Sequence, residues 1–168
     1  IDHSTTSLKI KNAEKLTDIS ALASLKNLNE LDLSACGELT DISALASLKN
    51  LKELDLSDCK KLIDISALAS LKNLEKLILS HCGLIGWKKL TDISALASLE
   101  NLNELDLSSC HNLTDISALA SLNNLKELRL GGERLTDIRA LASLNNLQKL
   151  SLSDCYELTD IRALASLK

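Results

Sequence analysis

The chain contains no proline, phenylalanine or methionine, and only one tryptophan and one tyrosine among its 168 residues. At average usage a chain of this length has about 8 prolines, so their absence is systematic. Because aromatic residues are so scarce, we expect the core to consist almost wholly of leucine, isoleucine and alanine. The longest apolar runs are a few residues, too short for a membrane-spanning helix.

Net charge and overall composition argue against several classes of protein. The formal net charge is −4, with 45% hydrophobic and 25% charged residues. This composition argues against a disordered or collagen-like chain. It also provides no basic patch of the kind that binds nucleic acid. We therefore expect no nucleic acid partner and no membrane association.

Internal repeats dominate the sequence. The segment DISALASL occurs five times, and DIRALASL replaces it twice near the C-terminus. Units begin at Leu16, Leu39, Leu62, Leu90, Leu113, Leu135 and Leu158, with spacings of 23, 23, 28, 23, 22 and 23 residues. Residues 1–15 form a degenerate first unit, and 158–168 form a partial last one.

Each unit is predicted to contain one strand and one short turn. In the second unit, residues 51–57 follow the apolar–polar alternation of a half-buried strand. Residues 42–48 have apolar side chains at every third position, which suits a single helical or 3₁₀ turn. Ser43 and its equivalents are expected to cap this turn through the side-chain oxygen.

The predicted fold is an α/β solenoid. A unit with one strand and one turn has a single apolar edge on each element, so the units must stack to bury their leucines. Equivalent strands then run in the same direction and form a parallel sheet. We expect this sheet on the concave face and the helical or 3₁₀ turns on the convex face.

The pattern LxxLxLxxC followed by a short turn segment resembles the leucine-rich repeat family, over nearly the whole chain. The LTDISALASLKNL half resembles internalin-type repeats, although those usually carry proline where Ala44 stands. The LSDC half is similar to cysteine-bearing repeats of trypanosome and other proteins. The resemblance implies one leucine-rich repeat domain over residues 1–168 that binds protein partners without catalysis. The near-identical units indicate recent duplication or an engineered consensus array.

One cysteine occurs at a fixed position in most units: Cys36, Cys59, Cys82, Cys110 and Cys155. The resemblance implies that this side chain points inward and hydrogen-bonds the backbone. Stacked equivalents point in parallel, which disfavours disulfides between neighbours. We therefore expect a structural ladder of reduced cysteines.

No site for catalysis, a cofactor or a metal is expected. His81 precedes Cys82 and His111 follows Cys110, but adjacent residues of an extended strand point to opposite sides. No C-x₂₋₄-C pair exists to complete a zinc site. Nucleophile–base, phosphate-loop, dinucleotide and HExxH motifs are also missing. The protein is predicted to be no enzyme.

Three positions on each strand are predicted to point outward, forming columns along the array. The first column is Ser7, Glu30, Glu53, Lys76, Glu104, Glu127 and Lys149, and the second is Lys9, Asp32, Asp55, Ile78, Asp106, Arg129 and Ser151. The third is mainly serine. Like charges on adjacent strands reduce stability. They arise either from simple copying of one unit or from a surface that receives a basic partner.

Unit 3 departs most from the consensus. It places Ile78 in the second column and inserts the segment Gly83-Leu84-Ile85-Gly86-Trp87. Tryptophan is enriched at interface hot spots, yet loops also tolerate insertions. Trp87 therefore either covers a neighbouring unit or forms a contact patch with Ile78 and His81. The candidate partner-binding residues are Glu53, Asp55, Lys76, Ile78, His81, Trp87, Asp106 and Arg129.

The remaining irregularities concern unit 5 and the ends of the array. Unit 5 is one residue short and reads Gly131-Gly132, which predicts a tight turn with positive φ. The last unit stops halfway, so we expect an open rung of leucines and self-association through the ends. Two functions follow. One is a protein-binding module that uses the concave face and the 83–87 loop, and the other is a structural or engineered scaffold without a natural ligand.

Overall fold

A computed structural model of the protein describes residues 4–83 and 89–167. Each unit from the degenerate first one to the unit that begins at Leu135 contributes one short strand, as its alternating pattern predicts. The strands are β1 (Ser7–Lys9), β2 (Glu30–Asp32), β3 (Glu53–Asp55), β4 (Lys76–Ile78), β5 (Glu104–Leu107), β6 (Glu127–Gly131) and β7 (Lys149–Ser153). They form one parallel sheet in sequence order. The predicted leucine-rich repeat solenoid is thereby confirmed.

A 3₁₀ turn lies on the convex side of each unit. The turns span Ser20–Ser24, Ser43–Ser47, Ser66–Ser70, Ser94–Ser98, Ser117–Ser121, Arg139–Ser143 and Arg162–Ser166. With five residues each, they present one apolar edge to the core. Among the described residues, no helix has the length and apolarity needed to cross a membrane.

The prediction that Ser43 caps its turn is wrong. Ser43 is the first residue of the turn, and its side chain makes no capping hydrogen bond. Its backbone N–H instead donates to Asp41 Oδ1 at 2.8 Å, in the local arrangement typical of aspartate. This hydrogen bond lowers the pKa of Asp41. The same contact recurs in every turn.

The core is a continuous ladder of leucine, isoleucine and cysteine. In the second unit, Leu39, Ile42, Leu45, Leu48, Leu51, Leu54, Leu56 and Cys59 are each at most 2% exposed. None of the described buried residues is polar or charged. Stacking therefore places every apolar position of an internal unit against its neighbours, which is the main source of stability in such arrays.

Polar side chains also connect neighbouring units. Ser47 Oγ lies 2.9 Å from Ala44 O in its own turn and 3.0 Å from Ala23 O in the preceding unit. Asn50 Nδ2 donates to Lys26 O at 2.9 Å. Equivalent asparagine contacts join the later units. These bonds satisfy backbone carbonyls on the turn side of the array.

The end of the array from β7 onward is less covered than the internal units. Leu150, Leu152 and Leu158 are half-buried, whereas their internal equivalents are fully buried. Ile161 is 61% exposed and Tyr156 is 73% exposed. The last leucines of the described residues are therefore less buried than those of the internal units.

The predicted positive-φ turn at Gly131-Gly132 is also wrong. Gly131 is the last residue of β6, and among the described glycines only Gly83 has positive φ. In other units the left-handed residue precedes the cysteine, as at Ala35 and Asp58. The glycine at position 131 instead permits close approach, because a Cβ there would lie 2.9 Å from Ser109 N and 3.1 Å from Ser153 O.

This geometry predicts that Gly131→Ala will lower the free energy of unfolding by about 1–3 kcal/mol, the usual cost of overpacking. Gly37→Ala is a matched control, because a Cβ at Gly37 meets no atom within 4 Å, and should change stability by less than about 0.5 kcal/mol. Urea denaturation of both variants measures the difference. Equal stability of the two would contradict the assigned role of Gly131.

Candidate binding surface

Six of the eight candidate residues lie side by side on the outward face of β3–β6. The sheet register pairs Glu53 with Lys76 and Asp55 with Ile78. It then places Asp106 beside Ile78 on one side and beside Arg129 on the other. The first and second columns therefore have the predicted order. They form a contiguous surface of charged side chains around one aliphatic residue.

The other two candidates follow β4. His81 is exposed and adopts φ = 59°, while the adjacent Cys82 is only 2% exposed. Trp87 lies outside the described residues. Its two alternative roles, covering a unit or contacting a partner, therefore stay predictions.

Each carboxylate that β5 and β6 contribute to the first two columns has a cationic partner one strand away. Lys76 Nζ lies 2.8 Å from Glu104 Oε2, and Arg129 Nη1 lies 3.3 Å from Asp106 Oδ2. Lys149 binds Glu127 in the same way. The hydrogen bond that Lys76 donates to Glu104 raises the pKa of Lys76. The bond from Lys149 lowers the pKa of Glu127.

The carboxylates of β2 and β3 are arranged differently. Lys11 Nζ forms an ion pair with Asp32 Oδ2 at 2.8 Å, and Ser7 Oγ donates a hydrogen bond to Glu30 Oε2. Within the described part of the chain, Glu53 and Asp55 form no ion pair. Asp55 Oδ1 accepts only local hydrogen bonds, from Ser57 N at 2.8 Å and Ser57 Oγ at 2.6 Å. The acidic charge is therefore least compensated at β3.

Two open depressions follow this division of the sheet face. The larger, of about 230 Å³, lies over β1–β4 and is lined by Glu53, Asp55 and Ile78 among others. The smaller, of about 90 Å³, lies over β4–β6 where the ion pairs are. Ile78 borders both. The surface therefore offers an acidic side and a charge-paired side, divided by an aliphatic residue.

The cysteines form the predicted inward ladder in four units. Cys36, Cys59, Cys82 and Cys110 are buried, and each thiol donates to a backbone carbonyl of the preceding unit at 3.0–3.5 Å. Burial raises the pKa of the Cys59 and Cys110 thiols to about 12. It also raises the pKa values of Cys36 and Cys82. Cys155 is half-buried and contacts Ser153 O in its own unit.

Within residues 4–83 and 89–167, no three histidine, cysteine or acidic side chains converge on a point where they could hold a metal ion. His111 Nδ1 instead lies 3.3 Å from Glu133 Oε1. The ladder thiols donate hydrogen bonds to backbone carbonyl oxygens, so their role in the array is structural.

Comparison with known proteins identifies the family. The sequence profile described as leucine-rich repeats (two copies) matches residues 36–70, 49–86, 72–121 and 123–166. These matches cover more than half of the chain. The chain therefore belongs to the leucine-rich repeat family.

Solved structures give a closer comparison. The chain is 33% identical to internalin C2 of Listeria monocytogenes, with a TM-score of 0.86, and the match covers 99% of this chain and 69% of that one. An internalin, InlF, of the same organism is 31% identical, with a TM-score of 0.70 and coverage of 90% and 48%. A plant peptide hormone receptor in complex with RGF2 shares the fold at 20% identity, with a TM-score of 0.67 and coverage of 90% and 25%. No curated protein sequence matches the chain significantly.

The exposure of the thiols predicts their reactivity. A thiol must ionise before it attacks a disulfide reagent, and burial opposes ionisation of Cys36, Cys59, Cys82 and Cys110. We expect one thiol, that of Cys155, to react rapidly with an aromatic disulfide at pH 8 in the native protein. All five should react in denaturant. Cys155→Ser should remove the rapid phase, and more than one rapid thiol in the native protein would contradict the buried ladder.

Proposed function

We propose that this chain is a non-enzymatic protein-binding module whose partner sits on the concave sheet around Glu53, Asp55 and Ile78. The observation that carries the proposal is the half-exposed Ile78 in a column of otherwise polar and charged residues. An aliphatic side chain between aspartates contributes nothing to the charge balance of the sheet. A partner that covers Ile78 would gain apolar burial at the centre of the contact, with charged residues at its rim.

The shape of the surface supports binding and gives no support to catalysis. Catalytic carboxylates are tuned in enclosed sites with little water. The acids of this sheet lie on an open face, and its depressions are shallow. The sheet is instead held rigidly by the buried ladder behind it, which preorganises the outward side chains for recognition.

Lys76, Asp106 and Arg129 belong to the same proposed surface as its charge-paired side. Their ion pairs fix side chains that would otherwise be mobile, and exposed pairs of this kind contribute little to stability. His81 and Trp87 are proposed as further contacts at the end of β4. A structural or engineered scaffold without a natural ligand is the alternative that the following experiment distinguishes.

Photocrosslinking tests whether the concave face contacts a partner. A benzophenone amino acid at position 78 should form a covalent adduct with a defined protein in extracts of the source organism. The same probe at the exposed convex residue Ala120 should form none. Equal labelling at both positions would indicate random collisions, and no adduct at either would favour the scaffold alternative.

The identified partner then allows a quantitative prediction. Ile78→Ser should weaken its binding by about tenfold, as expected for a central contact residue, while the melting temperature stays nearly constant because Ile78 is outside the core. Trp87→Ala should weaken binding without changing the melting temperature if Trp87 contacts the partner. A large fall in melting temperature would instead assign Trp87 to the core. Calorimetry measures both quantities.

Self-association of the 168-residue chain is a second proposal. It is favoured by the exposed side chains of Ile161 and Tyr156 and by the half-buried leucines Leu150, Leu152 and Leu158. Light scattering over a concentration series should show a molar mass that rises with concentration. Ile161→Lys should restore the monomer mass, because it places a charge on the open rung. A constant monomer mass of the unmodified chain would rule out this proposal.

A further inference from the structure

We infer that the segment bound over β3 and β4 is cationic, namely an extended stretch of protein that places a lysine or arginine against Glu53 and Asp55. The methylene stem of that side chain would lie on Ile78. This inference rests on the proposed function and specifies the chemistry of the partner. The outward face of β3 and β4 is uncovered, and its negative charge favours a positively charged partner.

The first argument is the contrast between two nearly identical strands. β3 and β5 both read Glu-Leu-Asp and occupy equivalent positions in the sheet. Glu104 and Asp106 on β5 are matched by Lys76 and Arg129. Glu53 has Lys76 as its register partner, yet Lys76 forms its ion pair with Glu104 on the other side. The acids of β3 therefore lack the direct ion pairs that the acids of β5 have, although the charges of Lys76 and Lys11 act on Glu53 and Asp55 from a greater distance.

The second argument concerns the apolar surface that lies beside the acids. In the second column, Ile78 stands next to Asp55 at the usual spacing of parallel strands, about 4.8 Å. A long cationic side chain has an apolar stem and a charged head, and it prefers to cover apolar surface with the stem. Ile78 accepts the stem, and Asp55 accepts the head one strand away. A neutral polar segment would neither cover the apolar surface of Ile78 nor neutralise the charge of Asp55.

The array itself provides the geometric precedent. Arg129 extends from β6 across to Asp106 on β5, so a guanidinium covers an aspartate of the second column from the neighbouring strand. At Asp55 the neighbouring residue is Ile78, which provides no charge. A lysine or arginine from a partner would therefore complete at β3 the arrangement that Arg129 completes at β5. The larger depression, of about 230 Å³, lies over this part of the sheet.

Peptide selection tests the inference directly. A phage-displayed library of random dodecapeptides is panned in parallel on the wild-type chain and on two single variants. The test variant, called the β3 variant, is Asp55→Asn. The matched control, called the β5 variant, is Asp106→Asn, which removes the same charge from the same position of β5 and leaves the ion pair between Lys76 and Glu104 in place. Asp55 and Asp106 make equivalent local hydrogen bonds, so the structural cost of the two variants should be similar.

We expect lysine and arginine to be enriched at least threefold among peptides selected on the wild type and on the β5 variant. The β3 variant should show no such enrichment. Replacing the arginine of a selected peptide by citrulline should weaken its binding about fivefold in fluorescence anisotropy, and added salt should weaken it further. Ile78→Ser should also weaken binding, because the stem loses its apolar contact.

Several outcomes would overturn the inference. Equal loss in the β3 and β5 variants would show that only the net charge of the sheet matters. Selection of neutral or acidic peptides, or of none, would exclude a cationic segment. Binding of spermidine that is lost in the β3 variant would assign the site to a small polycation instead. A partner crosslinked at position 78 that binds the β3 variant normally would leave the proposed function intact and remove only this inference.

Discussion

The structure depends on the fact that no unit can bury its own apolar edge. One strand of three to five residues and one 3₁₀ turn of five residues offer too little surface to enclose seven or eight large side chains. Burial therefore requires a neighbouring unit on each side, and the shared register of the strands places equivalent leucines in contact. Backbone hydrogen bonding follows the same rule, because each parallel strand finds its partners only in adjacent units.

This constraint also determines where specificity can be encoded. Inward positions must stay leucine, isoleucine or cysteine, since any change affects the contact with both neighbours. Aspartates before the turns and asparagines after them are equally fixed, because they satisfy backbone groups of the array. Only the outward strand positions and the loops can vary freely. The departures at Ile78 and Arg129 therefore carry more functional information than the repeated core does.

The sequence predicted correctly those features that the repeat period determines. It was wrong about features that depend on local backbone geometry. The strands and the outward columns follow from the repeat spacing, and the inward position of the cysteines follows from the resemblance to the family. The cap was assigned to Ser43 because the residue at which a 3₁₀ turn begins cannot be read from periodicity, and Asp41 holds that role. Unit 5 is one residue short, and there β6 extends to Gly131 without a left-handed turn. The choice of Lys76 between Glu53 and Glu104 depends on side-chain orientation, which no sequence pattern specifies.

The acidic columns could reflect simple copying of one repeat unit, but the uneven distribution of ion pairs argues against that explanation. If neighbouring acids only reflected repetition of one unit, every strand would present the same unrelieved charge. Lys76, Arg129 and Lys149 show instead that these columns accept cations and that the cations pair with adjacent carboxylates. The array could have carried a cation beside Asp55 at no cost to its core, since the position is outward. It carries isoleucine there, so the unbalanced acids and the aliphatic residue belong to one surface, which we propose is completed by a bound partner.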